Sequence, residues 1–375
     1  MDLVNLRHYF HAHPEISDQE KETAKEIVRQ LKQCNPTSIV ENIGGYGVMA
    51  IFDSQKPGEI VLLRCELDAL PIREINDFEH RSVYEGVSHK CGHDGHMTTL
   101  LGVARKISCE PFPKGKVVLL FQPSEETSTG AEAVLSDAKF KAIKPDYAFA
   151  FHNLPGYPLN HIITKKGSFT AAVKSIIIKL QGKTSHAGEP EKGINPALAI
   201  SEIIKKTLTL SNNQVDREDF AIVTPIHINM GEKAYGVSAG YGELHLTIRT
   251  WTEQQLDNLS NQILQIIHTS AEQHHLKSEI EWTQHFRATE NNDMALEYLQ
   301  NAIHTNGYSH KETDYPFKWG EDFGLFTQQY KGALFGIGSG TNCPALHNPD
   351  YDFPDEILPI GVELFYAIVS QILDS

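Results

Sequence analysis

Short apolar runs separated by helical segments constrain the fold of this 375-residue chain more than any other feature. The runs are YGVMAIF (46–52), EIVLLRC (59–65), KVVLLFQ (116–122), DYAFAFH (146–152) and ALFGIG (333–338). Most of them lack polar–apolar alternation, which is typical of strands that are buried on both faces. A helical pattern lies between several of them, notably at 97–107, and strands that alternate with helices favour a mainly parallel sheet. The sequence therefore predicts an α/β domain.

The segment 168–282 has a different pattern. Its run ELHLTIRT alternates cleanly, as a strand with one buried face does. Its strand and helix patterns follow the order β-α-β-β-α-β, which is the order of ferredoxin-like domains. We therefore expect an α+β domain at 168–282 that is inserted into a catalytic domain formed by 1–167 and 283–375.

Local capping patterns predict where two helices begin. Ser17-Asp18-Gln19-Glu20 has the spacing of a capping box, and apolar residues at helical spacing then predict a helix that ends near Cys34. Asn195 and Pro196 predict a second helix, with Asn as the N-cap and Pro at the first helical position.

Charge and composition exclude several classes of partner. Lys and Arg total 33 against 48 Asp and Glu, so the formal net charge is −15. Nucleic acids and anionic membranes require a basic surface, and neither is an expected partner. The N-terminus has no basic region followed by an apolar run, and no stretch of membrane-spanning length is expected. The five cysteines are scattered and odd in number, which favours reduced thiols and a cytoplasmic location.

Potential metal-binding and catalytic side chains cluster where predicted strands end or a predicted helix begins. They are Arg64, Glu66 and Asp68, then Cys91, His93, Asp94 and His96, then Glu125 and Glu126, and finally His152 and His347. In open α/β sheets, ligands bind at the carboxyl ends of the strands. We therefore expect these side chains to meet at one edge of the sheet.

The residue types in this cluster fit a metal centre. Thiolate and imidazole suit ions such as Zn²⁺, and carboxylates complete the coordination. A dinuclear site could take its ligands from Cys91, His93, Glu126, His152 and His347. Each residue alone has an ordinary explanation, for example a polar helix start, a solvated glutamate pair or a turn capped by Asp68. Their joint placement is what favours a metal site.

At these residues the chain resembles the M20 metallopeptidase family, and most closely its amidohydrolase branch of hippurate hydrolases, auxin-conjugate hydrolases and N-acetyl-diaminopimelate deacetylases. The resemblance runs nearly the full length, in order. Its motifs are HAHPEIS (11–17), RCELDALPI (64–72), CGHDGH (91–96), QPSEE (122–126), FHNLP (151–155), GKTSHAGEPEKGINPA (182–197), TIRT (247–250), GEDFG (320–324) and ALHNPDY (345–351). So many ordered motifs make the match specific.

The resemblance implies a role for each matched position. Cys91 corresponds to a thiolate that bridges two metals, and the other ligands correspond to His93, Glu126, His152 and His347. Glu125 corresponds to the general base, which takes a proton from a metal-bridging water and later gives it to the leaving amine. Asp68 corresponds to a carboxylate that orients a ligand imidazole.

The inserted domain resembles a lid. His186 corresponds to a histidine that polarises the scissile carbonyl and helps to hold the oxyanion. Arg249 ends a strand of this domain, where structural pairing is at least as plausible a role as substrate binding. In many relatives the domain also mediates dimerisation, so a homodimer through it is one expectation.

The chain departs from the branch at several positions. Glu66 stands where Asp is usual, and Gly236 stands where an Asn that helps to bind substrate is usual. The glycine-rich run after the paired glutamates is reduced to 127–130. The metal and base positions are intact, so we expect the chemistry to persist while specificity differs.

The resemblance implies an amidohydrolase that uses two divalent metal ions, Zn²⁺ or Mn²⁺ with Co²⁺ or Ni²⁺ as alternatives. Its expected substrates are small N-acyl amino acids with an acetyl or aromatic acyl group. A dipeptidase or carboxypeptidase shares the same metal core and stays open as an alternative. A non-catalytic metal-binding scaffold would require degenerate ligands or a missing base, and the sequence has neither.

Overall fold

The computed structural model describes residues 2–374, so the two ends of the predicted catalytic domain, residues 1 and 375, lie outside the described residues. The helices are α1 (Leu3–Ala12), α2 (Lys21–Leu31), α3 (His93–Cys109), α4 (Gly130–Ser136), α5 (Ala138–Lys141), α6 (Ala197–Leu208), α7 (Glu253–Gln273), α8 (Asp293–Thr305), α9 (Gly324–Thr327) and α10 (Ile357–Asp374), with 3₁₀ turns at Lys32–Cys34 and Pro190–Lys192.

The strands are β1 (Ser38–Ile43), β2 (Gly47–Asp53), β3 (Ile60–Glu66), β4 (Lys116–Gln122), β5 (Tyr147–Leu154), β6 (Ile162–Thr164), β7 (Gly167–Ser168), β8 (Ala172–Gln181), β9 (Ser185–His186), β10 (Ala221–Met230), β11 (Val237–Ser238), β12 (Tyr241–Thr250), β13 (Lys277–Phe286), β14 (Glu290–Asn291), β15 (His310–Glu312) and β16 (Lys331–Gly338). They belong to two compact units. The first comprises the chain up to Phe169, Thr289–Asp314 and the chain from Glu321 onward, and the second comprises Thr170–Ala288 and Tyr315–Gly320.

The first unit contains an eight-stranded sheet in the order β1-β2-β4-β3-β5-β16-β6-β15. Its central strands β4, β3, β5 and β16 are parallel to one another, as the unbroken apolar runs predicted, whereas β2 and β6 pair antiparallel with β4 and β16. One face of these strands packs in a core with α1, α2, α3, α8 and α10. The opposite face is buried as well, and every residue of β5 is inaccessible or nearly so. The mixed, centrally parallel α/β class is thus confirmed.

The strand order indicates at which edge of this sheet a ligand can bind. The strand that follows β3 along the chain is β4, which pairs on one side of it, and the next strand, β5, pairs on the other side. The order reverses at β3, and such a switch point leaves a crevice at the carboxyl ends of the strands. The candidate metal residues follow these strand ends.

The second unit has the predicted ferredoxin-like arrangement. Its sheet runs β10-β12-β8-β13 with every pair antiparallel. Apolar side chains of β8 and β12 that alternate along each strand pack under α6 and α7, and they form a core separate from that of the first unit. The alternation of ELHLTIRT gives this buried face.

The domain limits differ from the sequence-based boundaries. Strand β13 continues past 282, where Phe286 still pairs with Val173 of β8. The segment Tyr315–Gly320 also joins the second unit, since Phe317 bridges Thr170. Neither feature has a local sequence signal, because both depend on pairing across the chain.

The capping-box prediction is wrong. Helix α2 begins at Lys21, and Glu20 occupies the cap position without a side-chain cap bond. Ser17 instead donates its hydroxyl to Asp68 Oδ2 at 2.7 Å. Asn195 does accept a hydrogen bond from the amide of Ala197 at 2.9 Å, but α6 begins after Pro196 rather than at it.

Helix α10 corrects the expectation that no stretch has membrane-spanning length. Within residues 2–374, the helix Ile357–Asp374 is long enough and apolar enough to cross a membrane, by length and composition alone. More than half of it is buried inside the protein, where it packs against α3 and α8. It is therefore accounted for as a core helix of the first unit.

Candidate metal centre

The loop before α3 and the start of that helix carry the first part of the site. Helix α3 begins at His93, earlier than the apolar pattern at 97–107 predicted, so the histidines of CGHDGH lie in its first turn. Gly92 precedes it with a φ of +97°, and a Cβ there would lie 2.7 Å from the side-chain oxygen of Asn153. A larger residue at this position would displace the chain next to Cys91.

The structure brings the predicted ligands together within the first unit. Cys91 Sγ lies 3.5 Å from His152 Nε2, and His347 Nε2 lies 3.6 Å from Glu126 Oε1. His93 Nε2 lies 4.0 Å from Glu126 Oε1. The donor groups of the described residues include two that consist only of predicted ligands and contain Cys91, and in each the donor atoms lie within 4.8 Å of one another. They are Cys91–His93–His152 and Cys91–Glu126–His347. Because both groups contain Cys91, the arrangement suits two ions that share a thiolate.

The hydrogen bonding of His93 leaves one ring nitrogen available to a cation. Its Nδ1 lies 2.8 Å from the carbonyl oxygen of Asp68, so in the neutral ring Nδ1 carries the proton and Nε2 presents a lone pair. His93 Nε2 and Glu126 Oε1 are both buried, and neither has a hydrogen-bond partner within residues 2–374. Buried polar atoms are normally satisfied. Two such acceptors that face each other fit a divalent cation.

The neighbouring His96 and Asp94 are engaged elsewhere. His96 Nδ1 contacts Glu66 Oε2 at 2.7 Å, and its Nε2 contacts Asn153 Oδ1 at 2.6 Å. Asp94 Oδ2 pairs with His11 Nδ1 at 2.8 Å. Both ring nitrogens of His96 are therefore used, which distinguishes it from His93 although sequence alone places both in the cluster. The longer Glu66 side chain reaches His96 directly.

Asp68 ties the ligands to one another. Its Oδ2 accepts hydrogen bonds from the hydroxyl of Ser17 at 2.7 Å and from the backbone amide of Glu126 at 3.0 Å. Its Oδ1 lies 3.5 Å from His93 Nδ1. Burial alone would raise the pKa of Asp68, yet these contacts lower it. An ionised Asp68 thus fixes both the Glu126 backbone and the His93 ring.

Acidic groups surround the predicted ligands, and this arrangement favours the binding of a positive charge. Burial and the carboxylates of Glu126 and Glu125 raise the pKa of the Cys91 thiol well above its usual range. Burial and the nearby Glu321 and Glu126 likewise raise the pKa of Glu125. Although burial opposes it, the bond to Asp68 and the surrounding acids raise the pKa of His93 to about 10. A bound cation would relieve this crowding of acidic groups.

Left-handed backbone conformations occur at the loops that present the ligands. Ser124, just before the glutamate pair, has a φ of +54°, and His347 has a φ of +66°. The turn at Ser124 is held by Ser128, whose amide donates to the Glu125 carbonyl at 2.8 Å. Non-glycine residues in this region are uncommon, and such strain clusters at functional sites.

The remaining predicted residues lie in the second unit. His186 is exposed, and its Nδ1 accepts a hydrogen bond from the amide of Gly188 at 3.0 Å, so the neutral ring carries its proton on Nε2. Strand β11 pairs Val237 with His186, and Gly236 accepts a hydrogen bond from Ala187 at 2.9 Å. The structure therefore places Gly236 beside His186.

Arg249 has a structural partner in the same unit. Its Nη1 donates to the carbonyl of Lys318 at 2.9 Å. Burial lowers the pKa of its guanidinium. This contact supports structural pairing as one role of the residue.

The sequence reasoning did not find two buried supports of the site. Arg64, which the sequence placed in the cluster without a role, pairs with Glu66, Glu321 and Asp322. Lys90, next to Cys91, is fully buried. The sequence signal for Lys90 was its position directly before a candidate metal ligand, because a lysine that is buried there needs partners for its charge.

A thiol, imidazoles and carboxylates meet at the carboxyl edge of an α/β sheet, and among the described residues His93 Nε2 and Glu126 Oε1 have no hydrogen-bond partner. This fold and this set of side chains are those of a metal-dependent hydrolase. The model of peptidase family M20/M25/M40 matches residues 62–371. The hippurate hydrolase of Campylobacter jejuni is 30% identical over 99% of this chain and 97% of its own. The N-acetylcysteine deacetylase of Bacillus subtilis is 28% identical, and the match covers 100% of this chain and 97% of that protein. A dinuclear metal-binding M20 peptidase of Bacillus subtilis superposes with a TM-score of 0.84 at 26% identity, covering 99% of this chain and 98% of that one. The chain belongs to peptidase family M20/M25/M40 and is a hydrolase of amide bonds that uses divalent metal ions.

Proposed function

We propose that this protein is a dinuclear amidohydrolase that releases the acyl group from small N-acyl amino acids. The observation that carries the proposal is the pair of donor groups that share Cys91 next to the buried Glu125. The hippurate hydrolase and N-acetylcysteine deacetylase named above support the substrate class, because each name describes an N-acyl amino acid.

In this proposal the ligands of the two ions are Cys91, His93, Glu126, His152 and His347. Bound divalent ions supply Lewis acidity and lower the pKa of a coordinated water. Glu125 removes the proton of the attacking water and delivers it to the departing nitrogen. Asp68 holds the His93 ring and the Glu126 backbone in place through the contacts described above.

We assign to His186 the polarisation of the scissile carbonyl. The amide of Gly188 occupies its Nδ1, which leaves an Nε2–H donor of the kind that stabilises an oxyanion. His186→Ala should therefore lower kcat strongly while the affinity for metal stays that of the wild type. A variant that loses metal instead would contradict this role.

The general-base role has a matched control. Glu125→Gln should lower kcat by about a hundredfold or more at unchanged metal content, because acid–base catalysis contributes at least that factor. Glu132→Gln makes the same change at an exposed position of α4 and should leave kcat unaltered. Near-wild-type turnover of Glu125→Gln would refute the assignment.

A substrate panel tests the proposed substrate class. Acetyl-, benzoyl- and indoleacetyl-amino acids should be hydrolysed with higher kcat/KM than dipeptides. Preference for dipeptides would favour a dipeptidase or carboxypeptidase, which shares the metal core. Gly236 offers no side-chain amide to a substrate carboxylate, so we expect weaker dependence on that carboxylate than in a Gly236→Asn variant.

The identity of the ions is part of the proposal. The thiolate of Cys91 favours Zn²⁺, and Mn²⁺, Co²⁺ or Ni²⁺ are the alternatives. Removal of metal with a chelator should abolish hydrolysis, and back-titration with each ion should show which one restores it. Full activity after complete chelation would refute the metal-dependent mechanism. We also propose a reducing compartment such as the cytoplasm, since all five cysteines are free.

The second unit supports a homodimer. Strand β10 is an edge strand, and it carries the exposed apolar side chains Ile226 and Ile228. Beside it lies a groove of about 530 Å³ that α6 lines with apolar residues, and Leu198 of the same helix is 68% exposed. A sheet edge with an apolar border suits pairing with the same edge of a second copy. Ile228→Lys should convert a dimer to a monomer in light scattering, and a wild-type monomer would refute the proposal.

A further inference from the structure

The environment of Lys90 is not predicted by its position in the sequence. It directly precedes Cys91, yet its side chain is completely buried. Its Nζ donates to Asn76 Oδ1 at 2.9 Å, to the carbonyl of Tyr351 at 2.7 Å and to Glu74 Oε1. An ammonium group has three N–H donors, and all of them are used here.

These partners belong to two segments without regular secondary structure. Glu74 and Asn76 lie in the long loop between β3 and Cys91, and Tyr351 lies in the segment that follows β16. The same two segments are joined directly, because Asn76 Nδ2 donates to the carbonyl of Asp350 at 2.9 Å. Lys90 therefore lies where three segments of the first unit meet.

The segment after β16 presents the candidate ligand His347. The backbone amide of His347 donates to the carbonyl of Lys90 at 2.8 Å, and the Lys90 ammonium contacts the same segment at Tyr351. Lys90 thus holds this segment at two points, while its own chain continues into Cys91. The His347 side chain itself is half exposed, so packing does little to fix it.

We propose that Lys90 is a positioning residue, which sets the distance between Cys91 and His347 and thereby prepares the donor group of one metal ion before the ion binds. The inference rests on the proposed function. The residues that hold metal ligands in place typically change metal affinity by about 10- to 100-fold when they are lost.

The test uses the full chain stripped of metal and titrated with Zn²⁺ in competition with a chromogenic chelator. In Lys90→Met, which keeps the length of the side chain without its charge, we expect at least one Zn²⁺ dissociation constant to rise about 10- to 100-fold. Leu299→Ala is the control, because it opens a cavity in the buried face of α8 and lowers Tm without touching Lys90 or its hydrogen-bond partners. It should bind Zn²⁺ like the wild type.

A second variant covers the case in which Lys90→Met does not fold. Asn76→Ala removes one acceptor of Lys90 together with the bond to the Asp350 carbonyl and keeps the contact between Lys90 and Glu74, and it should weaken Zn²⁺ binding several-fold. Wild-type affinity in both variants, or an equal loss in Leu299→Ala, would overturn the inference while leaving the proposed function intact. A wild-type protein that binds no Zn²⁺ and hydrolyses no N-acyl amino acid would overturn the proposed function itself.

Discussion

Replacement of Arg64 by Met tests how the acidic groups beneath the metal centre are tolerated. Arg64 is fully buried and pairs with Glu66, with Asp322 and, at 3.0 Å, with Glu321. Its Nε also donates to Gln122 Oε1 at 3.0 Å. Methionine fills much of the same volume, so the main change is the loss of one positive charge and its hydrogen bonds.

The expected loss of stability is large. Removal of one partner from a buried ion pair typically costs about 3–5 kcal/mol, because the other charge is left without compensation. In this cluster several carboxylates share a single guanidinium. We therefore expect the free energy of unfolding at pH 7 to fall by an amount in the upper part of that range. Without Arg64, some of these carboxyls must take up protons instead.

Proton uptake gives the variant a distinctive dependence on pH. In the wild type, burial already raises the pKa of Asp322 to about 7, and Arg64 lowers that of Glu66 well below its usual range although burial opposes it. Loss of Arg64 removes an interaction that lowers the pKa of both carboxyls, so the pKa of Asp322 rises further above the value of about 4 expected in the unfolded chain. The folded state then binds more protons than the unfolded state, so its stability falls as pH rises. The slope is about 1.4 kcal/mol per pH unit for each additional proton.

The assay is urea unfolding of metal-free protein from pH 5 to pH 8, followed by circular dichroism. Arg29→Met is the control, because Arg29 lies in an exposed ion pair with Glu26 on α2. It should not be distinguishable from the wild type at any pH. A loss in Arg64→Met that is below about 1 kcal/mol, or that does not grow with pH, would refute the reasoning.

Three further substitutions have distinct expected outcomes. Burial raises the pKa of Glu20 to about 7, so the wild type loses stability as pH rises from about 4.5 to 7. Glu20→Gln keeps the acceptor for the amide of Ser124 and should gain about 3 kcal/mol at pH 8 and nothing at pH 4, as measured by urea unfolding. A Cβ at Gly130 would lie 1.8 Å from the carbonyl oxygen of Pro123, so Gly130→Ala should destabilise the protein by about 1–3 kcal/mol, and an unchanged Tm would contradict this. Asn292 caps α8 through two backbone amides at 3.1 and 3.3 Å; Asn292→Ala should cost about 1 kcal/mol in thermal unfolding, whereas Asn292→Ser should retain most of that stability.

The sequence by itself determined the fold class and the place of the site. Four of the five apolar runs form the parallel centre of the large sheet, and the alternating pattern of ELHLTIRT forms a strand of the ferredoxin-like sheet. These signals are local, because the spacing of apolar side chains along a helix or strand depends only on residues that are close in sequence. The position of Cys91, Glu126 and His347 after strand ends was enough to predict that they meet; their roles as ligands stay predictions.

Only the tertiary structure decided which partner each polar side chain takes. Ser17 has the spacing of a helix cap, but its hydroxyl bonds Asp68, which lies 51 residues further along the chain. His93 and His96 occupy one helix turn, and only their distant hydrogen-bond partners separate an available ring nitrogen from an occupied one. The burial of Lys90 likewise depends on segments that lie up to 261 residues away. Such pairings are fixed by packing of remote segments, and no periodicity in the chain encodes them.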